Sequence, residues 1–288
     1  MTFSKTMQRL DLVLCSAAAA GLLYCSLIFP SGAASAEEAR TVGQRIEALA
    51  PDALEELFVF VGGNVLFTLH HEAGHMLVSE LKLPVLGQEE DAVDNLATIS
   101  MLAHNDGEMD VLLSSAMVGW FLTTEDEVGD LAFYDEHDLN LQRGYRMLCL
   151  MVGSDPAAFG ELASDLGLPP ERIETCRTDY DQAVSSWEKV TDHHLKVSQG
   201  PGRKIAVRYG AASEPLELMA VFLQQSLLME IVAEEIDSLY ALPQEITFRS
   251  MTCGAKNAYW DPELREMTLC YELVEHFAAT YLDLIATH

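Results

Sequence analysis

His71-Glu72-Ala73-Gly74-His75 sets two imidazoles four residues apart, with a carboxylate beside the first. On an α-helix that spacing puts both rings on one face, aimed at one point. Two neutral imidazoles that converge in this way suit Zn²⁺. Glu72 would reach a zinc-bound water, activate it as general base and later return the proton to a leaving amine. The same pair could be an ordinary polar stripe on an amphipathic helix. The flanks argue against that. Val65-Leu66-Phe67 and Met76-Leu77-Val78 are apolar, so the helix is expected to be buried, and buried polar groups need compensation.

A second segment supplies candidates for it. Pro84 keeps Leu83 out of helical angles and Gly87 permits a reversal, so the first helix stops there. A new helix is expected over roughly Glu89 to Ala103, with Glu90 and Asp94 on one face. Packed antiparallel to the first, it brings Glu90 opposite the histidines as third metal ligand. Asp94, one turn on, would accept a hydrogen bond from the outer nitrogen of a ligand histidine. Glu89 or Asp91 could take the place of Glu90, though neither has an acid four residues later. Acids in a first helical turn also satisfy the helix dipole.

His71-Glu72-x-x-His75 followed by Glu90-x-x-x-Asp94 resembles the gluzincin peptidases. More closely, the chain is similar to a family of bacterial secreted metallopeptidases catalogued as a domain of unknown function. That resemblance rests on the two segments above with Pro84-Val85-Leu86-Gly87, on Asp135-Glu136-His137 with Gln142-Arg143, and on Cys253-Gly254 through Cys270-Tyr271-Glu272-Leu273. It implies a zinc peptidase fold and leaves the substrate open.

Two further segments carry candidate chemistry. His137 precedes Arg143 by six residues. This is similar to the H-P-x-x-x-x-R segment of the CAAX-type and heat-shock zinc proteases, with Asp138 in place of the proline. His137 there could donate a hydrogen bond to the oxyanion of a tetrahedral intermediate, or stand exposed in a capping loop. Asn257-Ala258-Tyr259-Trp260 resembles the edge strand with which thermolysin-like gluzincins hold substrate backbone. In those proteins it precedes the zinc helix, whereas here it follows. Asn257 and Ala258 are the substrate-binding candidates, and an ordinary hairpin turned at Asp261-Pro262 is the other reading. His104, His276 and His193-His194 have no partner pattern and are expected at surface or core positions. Trp120 is expected in core packing.

The elements that must position these residues are expected to be mostly helical. Helices are expected over Pro51 to about Leu81, Asp110 to Thr123, Leu141–Met151, Pro156–Leu166, Glu171–Val190 and Glu214 to Leu239. Residues 195–198 and 204–209 read as a hairpin, and the chain end as β-like from Glu245 to Tyr271. The fold class is therefore α+β: a mainly helical, zincin-like metallopeptidase fold with a small β-sheet. One domain is expected over residues 37–288, its first residues to Ala50 loosely ordered.

Composition bounds the setting. The chain has 288 residues, 17 Lys and Arg against 45 Asp and Glu, and a net charge of −28. Phosphate binding needs a basic face, so nucleic acid is excluded as an expected partner. Lys5 and Arg9, then an apolar run from Leu12 to Phe29 and Ala34-Ser35-Ala36, read as a signal peptide over residues 1–36. A retained anchor is the rival. No later stretch is expected to span a bilayer, so export to the periplasm or medium follows. Four of the six cysteines lie beyond the leader. Of three possible pairings, Cys149–Cys176 and Cys253–Cys270 are favoured because each closes a local loop.

The expected function is zinc-dependent, endopeptidase-type hydrolysis of a peptide or protein substrate. The alternative is a zinc-binding but catalytically inactive envelope scaffold or binding protein, and a third reading is a metal-free structural envelope protein.

Overall fold

The computed structural model describes residues 40–123, 137–197 and 204–287. The leader and residues 124–136 lie outside the described residues.

The segment expected to be loose instead forms a short helix, α1 (Val42–Glu47). Thr41 caps it and Gln44 reaches back to the Thr41 amide, a reciprocal pair that satisfies two terminal N–H groups. Pro51 then starts α2 (Pro51–Leu81), a 31-residue helix that ends where Lys82 turns left-handed at φ 56°. Between Phe60 and Leu77 almost every residue is buried, polar ones included. A helix apolar on all sides has to lie inside the protein, and α2 is the axis on which the other elements pack.

α2 is also long and apolar enough to cross a membrane. That corrects the expectation that nothing beyond the leader would qualify. Of its apolar 18-residue window, 61% is buried within the protein.

Two helices cover one side of α2: α3 (Glu89–Ala103) and α4 (Gly107–Leu122). α4 starts at Asp106, whose side chain accepts from the Met109 amide. It crosses α2 so closely that a Cβ on Gly63 would sit 2.1 Å from the Leu112 carbonyl oxygen. Next come α5 (Asn140–Ser154), α6 (Pro156–Asp165) and α7 (Pro170–Thr191). Cys149 of α5 is bonded to Cys176 of α7.

The sheet is mixed, with strands β1 (Ile205–Tyr209), β2 (Ile246–Met251), β3 (Ala258–Asp261) and β4 (Glu266–Cys270) in the order β1-β2-β4-β3. β1 and β2 are parallel, with Ile205 opposite Ile246, and β2 and β4 are parallel, with Thr247 opposite Glu266. β3 pairs antiparallel with β4, and among the described residues no strand pairs with its other edge. Among the described residues the hairpin expected over 195–209 is not formed. Leu195 makes only an isolated bridge to Tyr240, while β1 pairs with a strand that follows two helices later. Parallel pairing requires such a crossover.

The helix expected over 214–239 is likewise broken. A 3₁₀ turn (Glu214–Leu216) leads into α8 (Glu217–Ser226), Leu227 turns left-handed at φ 56°, and α9 (Leu228–Leu239) follows. The stretch from Glu245 to Tyr271 expected to be β-like forms β2, β3 and β4. β4 runs straight into α10 (Tyr271–Ala286), and Cys270 at that junction is bonded to Cys253. The fold is α+β and mainly helical, as the sequence implied.

Candidate metal centre

His71 and His75 project from the middle of α2 toward the N-terminal turn of α3. The approach depends on Gly74. A Cβ there would fall 2.7 Å from the Val93 Cβ, inside any real contact distance, so only glycine lets the α3 backbone come this close. The closeness brings Glu90 to the histidines. His71 Nε2 and His75 Nε2 are 3.3 Å apart, His71 Nε2 is 3.2 Å from Glu90 Oε2, and His75 Nε2 is 3.3 Å from Glu90 Oε1.

Zn²⁺ bound tetrahedrally at roughly 2.0–2.1 Å sets its ligand atoms about 3.3 Å apart. The three separations match that spacing, and the donor set of two imidazoles and a carboxylate is one zinc accepts. Among the described residues, Glu90 Oε2 is buried and has no hydrogen-bond partner of good geometry. The Nε2 atoms of His71 and His137 stand 3.2 and 2.9 Å from it, close enough to share a cation with it. His71, His75 and Glu90 therefore fit Zn²⁺.

The neighbouring acids sort into distinct places. Glu89 Oε1 lies 2.8 Å from His75 Nδ1, and Asp94 Oδ1 lies 2.8 Å from His71 Nδ1. Each outer imidazole nitrogen thus has a carboxylate to hold its proton, which leaves both Nε2 atoms as lone-pair donors. Asp91 faces away and pairs with Arg146. Of the three acids left open by the sequence, the fold brings only Glu90 into the trio.

Asp94 is itself held. Arg143 donates from Nε to Oδ2 at 2.7 Å and from Nη2 to Oδ1 at 2.8 Å, and its guanidinium stacks 3.8 Å from the Trp120 ring centroid. Burial alone would raise the Asp94 carboxyl, but His71 and Arg143 outweigh it and bring it down to about 2. Trp120 therefore does more than fill the core: it lines the cleft and supports this arginine.

The field around the trio attracts cations. Burial works against a charged His75, yet Glu90 and Glu89 raise it to about 9. His71 is raised despite burial, by Asp94 and Glu90. Burial also opposes ionisation of Glu90, but His137, His71 and His75 hold its carboxyl far below the usual range. Glu72 differs. Burial dominates there and raises its carboxyl above the ordinary value, while the Trp260 backbone N–H donates to it. A buried carboxyl raised in this way suits proton transfer.

His137 comes from the loop before α5, with its Nε2 2.9 Å from Glu90 Oε2 and its ring stacked on His71 at 6.3 Å. Arg146 anchors this loop by pairing with Asp138 and with Asp91 of α3. Asp138, which stands where the resembled motif has proline, is thus an anchor.

His71, Glu72, His75, Glu90 and His137 open into one cleft of about 1100 Å³. α2 and α4 line one part of it, and β3 with α10 the other. Asn257 and Ala258 lie on its wall, where β3 begins. Backbone groups alternate along an edge strand, so Ala258 faces the same open side as the Trp260 amide that meets Glu72. Sequence reasoning named Arg143 and Gly74 within motifs without giving either a role, and missed Arg146. It also left His276 without a role, whereas His276 lines the cleft. His104 shares Glu235 with the buried His70, on the far side of α2.

A family model described as "Putative metallopeptidase" matches residues 34–190 and 210–286. No curated protein and no solved structure matches the chain.

Proposed function

The chain belongs to that metallopeptidase family, and from this premise we propose that it is a zinc-dependent endopeptidase of the cell envelope or extracellular space. The observation that carries the reading is the spacing of His71, His75 and Glu90 donor atoms at 3.2–3.3 Å, beside a buried carboxylate that holds no metal-facing role of its own. The bound ion would polarise a peptide carbonyl and lower the pKa of a water.

The chain's own groups perform the rest. Glu72, held by the Trp260 amide, takes a proton from the attacking water and delivers it to the departing amine. His137 donates to the oxygen of the tetrahedral intermediate, a role its place beside Glu90 supports. Asp94 and Arg143 fix the tautomer and orientation of His71, and Glu89 does the same for His75. The unpaired edge of β3 at Ala258, with the Asn257 side chain beside it, pairs with the substrate backbone and lays the scissile bond over Glu72.

The two disulfides fit an oxidising compartment. Removal of a signal peptide over residues 1–36 would deliver the chain there. The deciding experiment is zinc per purified chain together with digestion of a broad peptide library. One zinc per chain with chelator-sensitive cleavage is expected. Zinc without any cleavage would favour the inactive scaffold, and no zinc after reconstitution would end the metallopeptidase reading.

A further inference from the structure

The cleft is electrically uneven. Its acids, Glu72, Glu89 and Glu90, gather at the histidines, while Lys256 and His276 line another part of its wall. Lys256 Nζ lies 3.3 Å from His276 Nδ1 and is in no salt bridge among the described residues. The other cation of the cleft wall, Arg143, is buried and committed to Asp94. In a chain with 45 acids against 17 Lys and Arg, an ammonium beside the cleft with no carboxylate at salt-bridge distance among the described residues can meet an anionic ligand. Two acids lie nearby. Glu272 is engaged by the Cys253 and Gly254 amides, and Glu275 interacts with Lys256 only at longer range.

The loop that carries Lys256 is held rigidly although it lacks secondary structure. Cys253 is bonded to Cys270, Glu272 accepts from Cys253 N at 3.1 Å and Gly254 N at 2.6 Å, and Asn257 O accepts from Cys270 N at 3.0 Å. Gly254 takes φ +79°, which glycine adopts without strain. Lys256 precedes Trp260 by four residues, or roughly 13 Å along an extended strand. A peptide paired with β3 and cleaved over Glu72 therefore carries its third to fifth residue from the scissile bond past Lys256.

We propose that Lys256 and His276 form an anion subsite, which selects substrates with a carboxylate three to five residues from the cleaved bond. The carboxylate is either an acidic side chain or the chain terminus. This rests on the peptidase reading above and names the substrate class of that site.

The test uses the mature, zinc-loaded chain and fluorogenic decapeptides with one common cleaved core. They differ in Glu, Gln or Lys at the third, fourth or fifth residue on either side, and carry a free or amidated C terminus. The Glu peptide at one such position should exceed its Gln twin by roughly 3- to 10-fold in kcat/KM, mostly through KM, and lose the advantage in high salt. An advantage confined to the free terminus would assign the subsite to the chain end. Lys256→Ala should bring the Glu-to-Gln ratio close to one, and Lys256→Glu should favour the Lys peptide. Equal rates for all three peptides at every position, or a preference that survives Lys256→Ala, would overturn the subsite. Anisotropy with labelled peptides on the Glu72→Gln chain reads the same ratio without turnover. A charge preference there with no cleavage by the unmodified chain would sink the peptidase reading alone.

Discussion

Arg143 grips Asp94 through two parallel hydrogen bonds, at 2.7 and 2.8 Å, and Asp94 passes that hold to His71 at 2.8 Å. The carboxylate is buried, so its charge is tolerable only while the guanidinium is present. Arg143→Met should therefore destabilise the fold by about 3–5 kcal/mol, measured by denaturant unfolding of the metal-free chain. Asp94→Asn keeps the shape and loses the charge. It should cost roughly 10- to 100-fold in zinc affinity or turnover. A loss of less than twofold in both would remove Asp94 from the site.

The pH dependence follows from the directions of shift. His75 is raised from 6.5 to about 9, so its contribution to the stability of the metal-free chain is complete below pH 6.5 and is lost as pH rises through 9. Asp94 is lowered from 3.8 to about 2, so its contribution is complete above pH 3.8 and is lost as pH falls through 2. Zinc competes with the His75 proton, so apparent zinc affinity should climb between pH 6.5 and 9. Competition with a chelator of known affinity, repeated across that range, measures it. A flat profile would contradict the His75 environment.

Gly74→Ala tests the helix approach. The added Cβ would meet Val93 Cβ at 2.7 Å and push α3 away from α2, at a cost of about 1–3 kcal/mol. Zinc affinity should drop with it, because Glu90 and Asp94 ride on α3. Val93→Ala in the same chain should recover part of both losses. Absence of any coupling between the two substitutions would mean the helices are not in contact there.

The residues legible in the sequence are those whose role is local. Pro51 at a helix start, His71 and His75 at helical spacing, and Glu90 with Asp94 one turn apart each carry their meaning within a few positions. What stayed illegible depends on distant partners. Gly74 has meaning only through Val93, Arg143 only through Asp94 and Trp120, and β1 only through a strand beyond two helices. The break at Leu227 carries no glycine or proline to mark it, and the helix after Cys270 follows a strand with no intervening turn. Residues 198–203, the turn of the expected hairpin, lie outside the described residues.

His137 should act on rate rather than on binding. His137→Ala is expected to retain zinc and lower kcat by roughly 10²-fold with KM little changed. Arg146→Ala frees the loop at Asp138 and should give a smaller loss of the same kind. Single-turnover and steady-state rates on one fluorogenic peptide separate the two effects. A kcat within twofold of the unmodified chain would leave His137 as a residue of the capping loop.

The last expectation sets two glutamates against each other. Glu72 and Glu90 stand on facing helices beside the same histidines, yet their surroundings differ. Burial raises the Glu72 carboxyl, whereas three imidazoles drive Glu90 far down. A raised carboxyl holds a proton more readily and suits a base that must carry one, and a strongly depressed one stays an anion and serves as a ligand. Glu72→Gln should therefore hold one zinc per chain and show no measurable peptide cleavage. Glu90→Gln trades an anionic oxygen for a neutral one, so it should lose zinc and activity together, with partial recovery in excess zinc. Glu89→Gln touches only the outer nitrogen of His75 and should fall between them, and Asp91→Asn should act only through Arg146. Zinc content and turnover of the four variants, measured side by side, order the roles. Tight zinc in Glu90→Gln with zinc lost from Glu89→Gln would reassign the third ligand, and full activity in Glu72→Gln would require another base.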